Sequence, residues 1–250
     1  MFAEALHQEV LAGGIKCRLS GVGLLSPTID LTPNLMNYGP YLHAMGQVDI
    51  DGKADIMRRM SSVKYYMNVQ DYSNAFYSFK KSLRRLRGLD RNTYDPLHLA
   101  YRPTRHLSDF MNGPVQKYLA HISRYRWNDF NWDVFYSQSK SYMKPASKSV
   151  EYLLRQKNIK IAIFVGQLDF IANPVGTETW LYRLKWLGKK AFYDAPRRQI
   201  SDPNNLHITI AGLKNYRNLY LYWVNGAGHM IPRDKPRAAR LIMKDFLRIT

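Results

Sequence analysis

Two residues in the second half of the chain have the type and setting for proton-transfer chemistry. Asp169 closes Gly166-Gln167-Leu168-Asp169, just past the apolar run IKIAIFVG, and His229 closes Asn225-Gly226-Ala227-Gly228-His229, just past NLYLYWV. A carboxylate can fix the tautomer of an imidazole and stabilise its charged form, while the imidazole takes and returns the proton of a nucleophilic hydroxyl. An acid and then a histidine, each in a loop after a strand-like run, is the second half of a Ser…Asp…His chain order. Such residues also have plain structural uses, the Asp opening a turn and the His bonding within a tight loop. Spacing alone leaves both readings open.

The elements around them favour a shared site, because open parallel sheets gather chemistry at the carboxyl ends of their strands. From about residue 145 onward, helical and strand-like segments alternate: KSVEYLLRQKN, IKIAIFVG, TETWLYRLKWL, NLYLYWVN and KPRAARLIMKDFL. That alternation predicts a parallel α/β sheet. The chain opens with a short amphipathic helix stopped at Gly13-Gly14, then the strand-like CRLSGVGLL, then a loop around Thr32-Pro33-Asn34. Helical periodicity fills ADIMRRMSSVKYYMNV and YSNAFYSFKKSLRRL, without a convincing strand, so this stretch reads as a helical insertion.

The 250 residues are 46% hydrophobic and 13% aromatic, which excludes general disorder. Cys17 is the single cysteine, so neither an internal disulfide nor a Cys-rich metal site is expected. No apolar run approaches the roughly 18 residues of a transmembrane helix, and the acidic opening MFAEALHQEVLAGG does not read as an export signal. Lys and Arg outnumber Asp and Glu 37 to 19, for a formal charge of +18. The excess is spread evenly beyond residue 50. Its densest stretch, Lys80, Lys81, Arg84, Arg85, Arg87 and Arg91, fits either a solvated helix face or a track for an acidic backbone, with no nucleic-acid-binding motif beside it. His98, His106 and His121 lack metal-ligand spacing, so no metal or cofactor is expected. Trp127 and Trp132 are expected to pack in the core or the insertion, and Met36, Met45, Met57, Met60 and Met67 to line helix faces in the core.

GQLDFIANPVGTETWLYRLKW, followed by NLYLYWVNGAGHMIPRDKPRAA, resembles the acid and histidine segments of the serine carboxypeptidase family, whose fold is the α/β-hydrolase. NWDVFYSQSKSYMKP, GIKCRLSGVGLL and NYGPYLHAMGQVD extend the likeness over nearly the whole chain. The resemblance implies the C-terminal portion of an α/β-hydrolase fold with a mostly helical insertion. Residues 1–50 and 136–250 would be hydrolase core and 51–135 a helical cap. It also implies that Asp169 is the triad acid, His229 the triad base and Met230 a residue lining the substrate pocket, in an enzyme that releases C-terminal amino acids without a cofactor. Members of this family are secreted or lysosomal and vacuolar.

The family's nucleophile sits in a Gly-x-Ser-x-Gly elbow, and none of the fifteen glycines here is followed at its second position by Ser. The resemblance therefore implies a chain that starts just past the elbow, inactive alone, its substrate the C-terminus of a peptide or protein once an N-terminal half completes it. A fragment and a paralogue that has lost its front half both fit. A sheet so shortened would leave an edge uncovered, which predicts marginal stability or self-association. The alternative is a catalytically silent basic homologue that acts as a binding or scaffold protein.

Overall fold

The computed structural model describes residues 1–87, 105–119, 125–128 and 130–248. Helix α1 (Phe2–Leu11) and strand β1 (Gly21–Leu25) come first. Three acidic N-caps then start the helices that follow, each carboxylate accepting an otherwise unpaired amide of the first turn. Asp30 takes the amide of Thr32 at 3.0 Å and opens α2 (Leu31–Ala44). Asp49 takes that of Gly52 at 2.8 Å and opens α3 (Ile50–Asn68). Asp71 takes that of Asn74 at 3.1 Å and opens α4 (Tyr72–Arg87); the backbone and then the side chain of Asn74 hold its carboxyl below the usual range.

Along α3, Ile56, Met60, Val63 and Met67 recur every three or four residues and are all buried, the stripe of a helix with one face in a core. They pack with Leu35, Tyr38 and Leu42 of α2 and with Phe76 and Phe79 of α4, together with Met143 and Phe170. Met36 and Met45 pack against the rim of this cluster. Short helices α5 (Arg105–Phe110) and α6 (Gln116–Tyr118), joined through a π-helical turn at Met111–Val115, precede α7 (Trp132–Ser137) and α8 (Ser139–Met143).

The remaining elements build the sheet and its covers: α9 (Ser147–Arg155), β2 (Lys160–Gly166), α10 (Pro174–Arg183), α11 (Lys189–Asp194), β3 (Arg198–Asp202), β4 (Asn205–Tyr216), β5 (Leu219–Val224), α12 (Ile231–Asp234) and α13 (Pro236–Leu247). Strand order is β1-β2-β5-β4-β3. β1, β2 and β5 run parallel, as the alternation of elements predicts. β4 and β3 are antiparallel to their neighbours, so the sheet is mixed. Interior strand β2 is covered on both faces, with Ile161, Ala162, Ile163 and Val165 all at 0% exposure, which is why it reads as a continuous apolar run rather than an alternation. Val150, Leu153, Trp180, Leu181 and Phe192 cover one face; Ala238, Ile242 and Phe246 of α13 cover the other.

Two expectations change. Thr32-Pro33-Asn34 is the first turn of α2 rather than a loop, since a proline there gives up an amide that has no helical acceptor. The antiparallel β3–β4 hairpin adds two strands to the expected parallel sheet, and its outer half is exposed, Leu206 and Ile208 included. Of the two places expected for Trp132, the structure shows the insertion: half exposed, it packs against Phe130 and Phe135 and stacks on Tyr136. In the basic stretch, Lys80 sits 4.4 Å over the Tyr136 ring, while the side chains of Arg84, Arg85 and Arg87 and all of Arg91 lie outside the described residues. His98 and His121 lie outside them too; His106 is exposed.

Candidate active site

The register of β2 on β5 ends at Gly166 opposite Val224, so the two strands release their loops side by side. The loops are then sewn together. Gln167 donates its amide to Val224 O at 2.9 Å and Leu168 to Ala227 O at 2.8 Å. The Gln167 side-chain oxygen accepts from the Gly226 amide at 2.9 Å, and Asp234 accepts from the Gly228 amide at 2.9 Å. Gly166 is what permits this approach. A Cβ there would lie 2.2 Å from Gly228 O and 2.4 Å from Ala227 O, distances no side chain tolerates.

Asp169 and His229 meet at this seam. His229 Nδ1 lies 2.9 Å from Asp169 Oδ2, and Asp169 is fully buried. The other carboxylate oxygen, Oδ1, accepts from the Ala172 amide at 2.9 Å. Both oxygens are therefore committed and the carboxylate plane is fixed. With a carboxylate that only accepts, this contact would assign the proton to Nδ1 and leave Nε2 as the basic nitrogen of the ring. That is the tautomer a general base needs to take a proton from a hydroxyl. The ring keeps partial access to solvent, with its side chain 23% exposed. Met230 follows directly, 39% exposed, and its backbone oxygen accepts from Arg233 and Asp234 to begin α12.

Several residues around the pair carry no local signal in the sequence. Ser26, at the end of β1, donates its hydroxyl to the backbone oxygen of His229 at 2.9 Å and holds a left-handed φ of 46°. Tyr41 and Tyr38 donate to Gln167 O at 2.6 Å and Ile171 O at 3.1 Å. Burial, and then Tyr142 and Asp169 nearby, push the Tyr38 hydroxyl well above its ordinary range, so it remains a donor. Among the described residues, no group of three or more His, Cys, Asp or Glu is placed to hold a metal ion.

A five-stranded mixed sheet with its acid and histidine loops at the ends of adjacent parallel strands is the arrangement of the α/β-hydrolase class. The model of one family, serine carboxypeptidase, matches residues 1–249, and the chain belongs to that family. It is 30% identical over 273 residues to retinoid-inducible serine carboxypeptidase of Mus musculus, a match that covers 96% of this chain and 59% of that protein. The Homo sapiens protein of the same name is 29% identical over 269 residues, with the same coverage. Carboxypeptidase Y of Candida albicans is 32% identical over 157 residues, 60% of this chain and 28% of its own. Among solved structures, Kex1(delta)p, a prohormone-processing carboxypeptidase from Saccharomyces cerevisiae, superposes with a TM-score of 0.79 at 20% identity, over 99% of this chain and 59% of its own. The chain thus spans about three fifths of the length of the retinoid-inducible relatives it matches.

Proposed function

We propose that Asp169 and His229 are the acid and base of a Ser–Asp–His triad, and that the chain contributes them to the release of amino acids from peptide C-termini. The observation that carries this reading is the 2.9 Å contact between Nδ1 of a partly accessible His229 and the fully buried Asp169. The reaction needs a serine from outside these 250 residues, which hold no Gly-x-Ser-x-Gly. His229 Nε2 would take the serine proton as the hydroxyl oxygen attacks the scissile carbonyl, then return it to the leaving amine. Water would repeat the cycle on the acyl-enzyme. Asp169 would hold the ring and stabilise the imidazolium, Met230 would line the pocket, and residues 51–135 would cover the cleft.

The test is to express the chain together with the elbow-bearing segment of a serine carboxypeptidase and to follow release of the last residue of a blocked dipeptide. Turnover that disappears in His229→Ala is the expected result. Near-normal turnover in that variant would remove His229 from the mechanism. A second reading, a catalytically silent homologue that binds polyanions, is favoured by the +18 charge.

A further inference from the structure

Helix α2 meets the acid loop along one stripe. Asn34, Tyr38 and Tyr41 stand four and then three residues apart, the spacing of a single helix face. Each donates to a backbone oxygen of the segment that carries Asp169: Tyr41 Oη to Gln167 O at 2.6 Å, Tyr38 Oη to Ile171 O at 3.1 Å and Asn34 Nδ2 to Asn173 O at 3.2 Å. Asn173 returns a bond from its own Nδ2 to Asn34 O at 3.0 Å. The three acceptors bracket Asp169, one two residues before it and two after it. The Tyr38 ring also packs on Phe170, with centroids 4.4 Å apart.

Packing alone does not account for polar residues here. Asn34 is fully buried, yet its Oδ1 has no partner among the described residues, and an unsatisfied buried acceptor carries a desolvation cost that an apolar residue would avoid. Tyr38 is likewise at 0% exposure, where a phenylalanine would fill nearly the same volume. What the polar atoms supply is direction. Three donors on one helix reach three carbonyls of this segment, and of these Asn173 O also accepts from the Thr177 amide at 2.9 Å. The helix is itself held, because α10 comes so close that a Cβ on Gly176 would lie 2.5 Å from Asn34 Cα.

We propose that Asn34, Tyr38 and Tyr41 are positioning residues: the stripe sets the height and tilt of the acid loop, and thereby aims Asp169 Oδ2 at His229 Nδ1. The inference deepens the triad reading and rests on it for its importance to turnover, but the geometry it concerns can be measured without any turnover.

The experiment uses the 250-residue chain. Tyr41→Phe and Tyr38→Phe each remove one hydroxyl and keep the ring. Ile242→Val, in the core on the opposite side of the sheet, serves as a control of reduced stability. NMR of labelled histidine reads the resonance of the His229 Nδ1 proton and its exchange with water. Loss of one anchoring bond should make that proton exchange about tenfold faster in either tyrosine variant, with its resonance displaced, while Ile242→Val leaves both unchanged. Tyrosine variants that lose stability like the control and leave the Nδ1 signal in place would reduce the stripe to helix docking and overturn the proposal. Should Tyr41→Phe not fold, Tyr38→Phe carries the same comparison. A moved Nδ1 signal alongside an active His229→Ala protein would keep the positioning and discard the triad; an unmoved signal in a protein that depends on His229 would do the reverse.

Discussion

Ser26 ties the end of strand β1 to the histidine loop: its hydroxyl donates to the backbone oxygen of His229 at 2.9 Å across 203 positions of sequence. The link is made from a backbone conformation that side chains adopt at a cost, with φ at 46°. Ser26 is thus both a tether and a point of strain, and the two roles can be separated.

Removing the hydroxyl while retaining the Cβ, as in Ser26→Ala, is expected to destabilise the chain by about 1 kcal/mol. Ser26→Gly loses the same bond but relieves the left-handed strain, and should be the more stable of the two by about 1 kcal/mol. Urea unfolding of both variants checks the order; a glycine variant below the alanine variant would show that the φ carries no strain.

Gly166→Ala tests the seam between the two site loops. The added methyl would meet two backbone oxygens, Gly228 O and Ala227 O, and backbone cannot swing aside as a side chain end can. The expected loss is about 3 kcal/mol, with amide shifts concentrated at residues 226–230. A variant as stable as the parent by calorimetry would mean that the loops are free to part.

The fold was legible wherever burial is complete or periodicity local. The continuous run of β2 and the stripe Ile56, Met60, Val63, Met67 announce a covered strand and a one-faced helix without reference to anything distant. Asp169 and His229 were legible because both follow such strands directly. Ser26, Tyr38, Tyr41 and Asn34 were not, since their partners lie 126 to 203 residues away and no local pattern records such a contact. The β3–β4 hairpin carries a strand signal of its own, with Leu206, Ile208 and Ile210 alternating with Asn205, His207 and Thr209, although Leu206 and Ile208 are exposed rather than buried.

Acid should weaken the chain in a defined window. Asp202, at the end of β3, accepts from both Nε and Nη2 of Arg237 on α13 at 2.6 Å. The Arg237 side chain first, and the Asn204 amide second, bring its carboxyl down to about 2. A carboxyl whose pKa is lower folded than unfolded contributes stability that is complete above roughly pH 4 and is lost as pH falls toward about 2. The gap in melting temperature between the parent and Asp202→Asn should therefore hold steady from neutral pH to about pH 5 and close below about pH 4. A gap that stays constant into the acid range would mean that the pair does not couple to folding.

The charge makes a separate prediction. At +18, the chain should be retained on heparin at low salt and released steeply as salt rises, because binding expels condensed counterions. Passage through the column at about 50 mM salt would remove the polyanion reading.

The Asp169–His229 bond closes a loop of 60 residues, and the β2–β5 pairing beneath it reaches past α10, α11 and the whole β3–β4 hairpin. Contacts so distant form late in folding, since the chain loses the entropy of loop closure before it gains the contact. The cluster built from α2, α3 and α4 depends largely on neighbours in sequence and can assemble early. During synthesis Asp169 leaves the ribosome well ahead of His229, so the two side chains meet only after β5 has docked beside β2. The topology sets the timing: the Asp169–His229 contact arrives only after the β3–β4 hairpin and β5 have been added.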